Sequence, residues 1–150
     1  MQLMRAVMGL TVVSLLGVGG VLAQPKPRVD VYKDPTCGCC SKWMEHLRAQ
    51  GFETKTIDVA DIEQIKKTHR VPGTARSCHT GVVGGYGIEG HVPAADIRRL
   101  LKQRPAGVIG LAVPGMPLGS PGMEVPGGRT QPYNVLAFDK AGHTTVFASH

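Results

Sequence analysis

The chain has 150 residues, with 17 Lys and Arg against 11 Asp and Glu, for a formal net charge of +6. The basic residues are scattered among acidic ones, with no basic run interleaved with aromatics, so the charge reads as a solvated surface and argues against nucleic acid as a partner. A chain of this size buries a genuine core without needing disulfides in its place, which leaves the 4 cysteines free for chemistry.

Met1 to Arg5 form a short basic start, and Ala6 to Leu22 follow as a nearly unbroken apolar run. Val21-Leu22-Ala23 ends the run with a small residue, and Gln24-Pro25-Lys26-Pro27 turns polar at once. That is the pattern of a signal peptide spanning residues 1–23, cleaved after Ala23. A retained anchor is the alternative, but Gly9, Gly17, Gly19 and Gly20 interrupt the run, which is marginal against the ~20 apolar residues of a span. The expectation is an exported, periplasmic domain of residues 24–150 without membrane attachment after cleavage.

Val29-Asp30-Val31-Tyr32 alternates as a strand does, and Asp34-Pro35 breaks it. From Cys40 to Gln50, Cys40, Trp43, Met44 and Leu47 recur at helical spacing, with Gly51 as the stop. Phe52 to Val59 reads as a second strand and Asp61 to His69 as a second helix. Val82-Val83, the Gly84-Gly85 turn and Tyr86 to Val92 predict a hairpin, and Pro93 opens a helix with Ile97, Leu100 and Leu101 as its buried stripe. Residues 107–132, rich in Gly and Pro and carrying Met116 and Met123, predict an extended ordered loop or a mobile lid. Tyr133 to Phe138 and His143 to Ala148 predict a last hairpin around Asp139-Lys140-Ala141-Gly142. The order βαβα then ββα is the thioredoxin-like arrangement, an α/β fold whose central mixed sheet is flanked by helices, with the methionine-containing loop and C-terminal hairpin as additions.

Cys37-Gly38-Cys39-Cys40 lies in the turn from the first strand into the first helix. Unpaired N–H groups and the helix dipole favour thiolates there, and such cysteines titrate at about 3.5 to 7.5. Cys37 and Cys40 have the spacing of disulfide chemistry, while Cys39 adds a third soft donor. In thioredoxin-like folds the loop before the third strand carries a cis-proline that packs on this turn. Val71-Pro72 has that local look but lies too far upstream of Val82, and the stretch between them ends in Ser77-Cys78-His79. Cys78 is therefore expected to face the Cys37–Cys40 turn.

Four convergent thiolates suit Zn²⁺, Cu(I) or an iron–sulfur cluster, and in the cell envelope copper is the metal such a site handles. A thiol–disulfide oxidoreductase using Cys37 and Cys40 is the second reading. Two structural disulfides are the third, disfavoured because an adjacent Cys39–Cys40 bridge is strained.

Cys37-Gly38-Cys39-Cys40, Ser77-Cys78-His79-Thr80, Gly85-Tyr86-Gly87-Ile88-Glu89-Gly90-His91-Val92-Pro93 and the segment Gly115 to Glu124 resemble CopG-type proteins, small exported thioredoxin-like domains associated with copper resistance. The resemblance implies a multinuclear copper–thiolate site at Cys37, Cys39, Cys40 and Cys78, with Cu(I)/Cu(II) interconversion and, as partners, copper ions and other periplasmic copper-handling or electron-transfer proteins. Met116 and Met123 are candidate thioether ligands, or else apolar cover that keeps water from the cluster. His79 is a candidate ligand or a support for one. His91 is a weaker ligand candidate, expected first as one end of a structural hydrogen bond, and His46, His69, His143 and His150 are expected as surface residues.

Overall fold

The computed structural model describes residues 25–150; the expected signal peptide lies outside the described residues. Among these residues, three α-helices and seven strands follow in the order β1 (Arg28–Lys33), α1 (Gly38–Ala49), β2 (Glu53–Asp58), α2 (Ile62–Thr68), β3 (His79–Val83), β4 (Tyr86–Glu89), α3 (Ala94–Gln103), β5 (Val108–Ala112), β6 (Asn134–Asp139) and β7 (Thr144–Ser149). They build one mixed sheet of order β2-β1-β3-β4-β5-β6-β7. Its first four strands, with β1 parallel to β2 and antiparallel to β3, and β3 antiparallel to β4, are the thioredoxin-like core.

Alternation sorts the two faces. Val29 and Val31 of β1, Ile88 of β4 and Leu111 of β5 are fully buried and pack with Trp43 and Leu47 of α1 and Ile97 and Leu100 of α3. The opposite face carries Ala112 and Phe138, packed with Val71 and Ala75. Lys66 of α2 bonds Thr80 and Glu89, which alternate with the first face's Gly81 and Ile88, so α2 covers this second face. Asp61 starts α2 by accepting from the N–H groups of Glu63 and Gln64. Gly51, at φ +84°, ends α1 in a conformation that side chains avoid.

Two departures from the sequence expectations matter. First, β3 begins at His79 instead of Val82, so Cys78 is the last residue before it and takes the place that proline has in the thioredoxin pattern. No peptide bond is cis among the described residues. Second, residues 107–132 are not loop throughout, because β5 occupies Val108–Ala112 and pairs parallel to β4 and antiparallel to β6. Five residues are too short to reveal a period, and the Gly at position 110 hides the strand further. That glycine is needed: a Cβ there would lie 2.3 Å from the Gly87 carbonyl oxygen and 2.3 Å from the Phe138 ring. Through β5 the C-terminal hairpin continues the central sheet, and the methionine segment between β5 and β6 returns over the start of α1.

Candidate metal centre

The turn from β1 into α1 is fixed before any cysteine is placed. The Asp34 carboxylate accepts from the Thr36 N–H at 2.8 Å, and the Cys37 N–H donates to the Asp34 carbonyl at 3.0 Å. Buried Lys33 ties the same turn down by donating to the carbonyls of Asp34 and Pro35 and pairing with Asp58. Cys37 is the residue before the helix and no side chain caps it, so the first-turn N–H groups are left for the sulfurs around them.

Cys37 and Cys40 are joined as a disulfide, while Cys39 and Cys78 are free thiols. Cys39 Sγ lies 3.6 Å from Cys37 Sγ. All four sulfurs, Cys78 included, lie within 4.8 Å of one another. The loop before β3 thus brings its cysteine against the turn at the head of α1, as expected from the sequence. Met116 meets the group from the other side, with its Sδ 3.9 Å from Cys39 Sγ and its side chain half exposed. Met123 lines an open groove of about 470 Å³ beside Cys39, together with Gly38, Lys42, Gly122, Glu124 and Val125. The loop carrying both methionines is held by its own backbone, with Met123 N–H donating to Ser120 and Gln131 N–H to Leu118.

Nitrogen donors stand behind Cys78. Its Sγ is 3.1 Å from His79 Nδ1 and 3.2 Å from His91 Nε2, and Cys78, His79 and His91 form a second group with ligand geometry. His91 Nδ1 donates to the Pro121 carbonyl at 2.8 Å, which leaves Nε2 as the bare nitrogen facing Cys78. The Cys78 S–H then points to His91, and His79 donates to the sulfur through Nδ1. His79 Nε2, on the far side of the ring from Cys78, is buried without a hydrogen-bond partner. His79 packs its ring on Trp43, 4.4 Å between centroids, and Trp43 Nε1 donates to the Val92 carbonyl. The structural hydrogen bond expected of His91 from the sequence is the one it makes to Pro121. Its role at the sulfur was not legible without the fold.

Burial decides protonation here. It pushes the Cys78 thiol up to about 12, with the neighbouring Cys39 adding to the rise. Burial likewise pushes His79 well below the ordinary imidazole value, with His91 and Lys66 adding to the fall, and pushes His91 down against the opposing pull of the Pro121 carbonyl. Both imidazoles are therefore neutral lone-pair donors at neutral pH. Soft thiols, a thioether and neutral imidazoles together make a donor set that could hold a soft or borderline metal ion.

A family model described as a protein of unknown function, DUF411, matches residues 75–123, the stretch holding Cys78, His79, His91, Met116 and Met123. No curated protein matches the chain. Two solved structures do, "Copper resistance protein copG" in Form 2 and in Form 1, each 44% identical over 84% of this chain, with TM-scores of 0.79. The alignments cover 99% and 98% of those chains.

Proposed function

This chain belongs to the family of the copper resistance protein copG, and from that premise we propose that it binds copper as cargo in the periplasm, holding Cu(I) through Cys37, Cys39, Cys40 and Cys78. The observation that carries this reading is the convergence of four sulfurs from two distant segments within 4.8 Å. Sulfurs that close can bridge several ions, so a multinuclear cluster is the natural product of filling the site. Met116 and Met123 close it from the solvent side, and His79 and His91 offer nitrogen at its inner side.

Binding through all four sulfurs requires the Cys37–Cys40 pair reduced. The same pair gives the copper a two-electron partner. The two thiolates give one electron each to two Cu(II) ions, the S–S bond forms, and both ions become Cu(I). In the disulfide state, Cys39, Cys78, Met116 and the two imidazoles still make a soft donor set, so the cargo is retained after the electrons have moved. Half-exposed Met116 beside Cys39 is the point at which a periplasmic copper-handling partner exchanges ligands with the site.

The Cys37–Cys40 disulfide favours a second reading, thiol–disulfide exchange with Cys37 as the attacked sulfur. One experiment separates the two. Changing Cys39 and Cys78 to Ser removes most Cu(I) retained against a chelator from the anaerobic, reduced protein if copper is the cargo. Insulin reductase activity in the wild type that survives this double change, with copper retention also unchanged, contradicts the copper reading.

A further inference from the structure

Beneath the cluster, on the α2 face of the sheet, lies a charged pair that the proposed chemistry does not use. Lys66 Nζ and a Glu89 carboxylate oxygen are 2.5 Å apart, and both residues are essentially without solvent exposure. Glu89 takes three donors: the Lys66 ammonium, the Thr80 hydroxyl at 2.7 Å and the backbone N–H of Ser77 at 2.6 Å. Burying such a pair removes two charges from water, and well-packed apolar residues in its place are often no less stable, so stability alone does not account for it.

The third donor does. Ser77 immediately precedes Cys78, and it is clasped on every side. Its N–H is held by Glu89, its hydroxyl donates to the Gly115 carbonyl beside Met116, and its Cβ packs so tightly on Gly90 that a Cβ there would come within 2.6 Å. Gly90 also holds the strand start, its N–H donating to the His79 carbonyl at 3.0 Å. One carboxylate therefore sets the register of the residue that joins the loop of Cys78 to the loop of Met116.

We propose that Glu89, neutralised by Lys66, is a positioning residue that fixes Cys78 against the Cys37–Cys40 turn by anchoring the Ser77 N–H. This rests on the reading of Cys78 as a copper ligand only for its consequence in binding; the placement of Cys78 is measurable without copper. Lys66 sets an opposite charge against the carboxylate in its buried seat, and Thr80 donates to its second oxygen.

The test compares Lys66→Met/Glu89→Leu, which removes the pair as apolar residues of similar volume and so preserves folding, with Lys66→Met/Glu89→Gln, which restores an acceptor oxygen without charge. In the metal-free protein with the Cys37–Cys40 disulfide intact, only Cys39 and Cys78 react with iodoacetamide, so Cys39 is the internal reference. The Leu variant is expected to alkylate at Cys78 at least roughly 10-fold faster relative to Cys39, and to hold Cu(I) at least roughly 10-fold more weakly once reduced, about one power of ten for each 1.4 kcal/mol of lost placement. The Gln variant is expected to return both values to near wild type. A folded Leu variant with the wild-type Cys78 rate overturns the proposal, and so does a Gln variant no better than Leu. A changed Cys78 rate with unchanged copper affinity supports the positioning role and overturns Cys78 as a ligand.

Discussion

Changing Gly122 to Ala tests whether the methionine loop is docked on α1 for function. Gly122 sits at φ +86°, and a Cβ there would lie 2.7 Å from the Trp43 backbone nitrogen and 3.2 Å from the Lys42 carbonyl carbon. The contact is with helix backbone, so the loop has to move. Gly127, in the same loop at φ +88°, has nothing within 4 Å of its would-be Cβ and serves as the matched control. The left-handed backbone costs each variant about 1–2 kcal/mol. Overlap with α1 adds about 1–3 kcal/mol to Gly122→Ala alone. The docking contact at risk includes the 2.8 Å hydrogen bond from His91 Nδ1 to Pro121, the residue next to Gly122. Its loss frees the ring whose Nε2 faces Cys78. Gly122→Ala is therefore expected to melt lower than Gly127→Ala by about 4 °C for each kcal/mol of the difference. It is also expected to bind Cu(I) roughly 5- to 100-fold more weakly in chelator competition, with no ligand altered. If the two variants melt together and bind copper alike, the loop is not pressed on α1 and the argument for its covering role fails.

Acid should weaken the metal-free fold in a defined direction. His79 and His91 are held neutral by burial, below the ordinary value of 6.5, so below that pH the unfolded chain binds protons that the fold refuses. Stability is full above 6.5 and is lost as pH falls from there toward the folded values, by up to about 1.4 kcal/mol per pH unit for each histidine. Urea midpoints that do not fall between about pH 7.5 and about pH 5.5 contradict this. Because the Cys78 thiol is pushed up to about 12, it carries its proton at neutral pH, and loading with Cu(I) should release about one proton more from the wild type than from Cys78→Ser, read with a pH indicator. Equal release from the two excludes Cys78 from the metal. Gly110→Ala should destabilise the domain by about 3 kcal/mol or more through its collision with the Gly87 carbonyl and Phe138, whereas Gly107→Ala, with open space around it, should cost about 1–2 kcal/mol. Equal losses contradict the placement of β5 beside β4.

The core of the fold was legible because its elements carry periods long enough to read. Trp43, Met44 and Leu47 announce α1, the Gly84-Gly85 pair announces the β3–β4 hairpin, and Asp139 to Gly142 announce the last one. β5 was not, since Val-Ile-Gly-Leu-Ala is buried on both faces and offers no alternation. The start of β3 was set too late, because Cys78-His79-Thr80 reads as a polar loop although His79 and Thr80 are fully buried. At the site, cysteine spacing and position in the fold pointed to the convergence of Cys78 on Cys37, Cys39 and Cys40. The histidines were harder: a neutral imidazole behind a thiol is a tertiary fact, and nothing local separates His91 from a hairpin histidine. Lys66 and Glu89 were invisible for the same reason, each resembling an ordinary surface charge until α2 and β4 are stacked.

The most direct measurement is X-ray absorption at the copper edge on anaerobic, copper-loaded protein, wild type against Cys78→Ser. The account predicts sulfur-dominated coordination with a copper–copper vector in the wild type, and loss of that vector with fewer sulfur neighbours in the variant. Coordination by nitrogen and oxygen alone, or spectra that the substitution leaves unchanged, would contradict a copper cluster shared by the four cysteines.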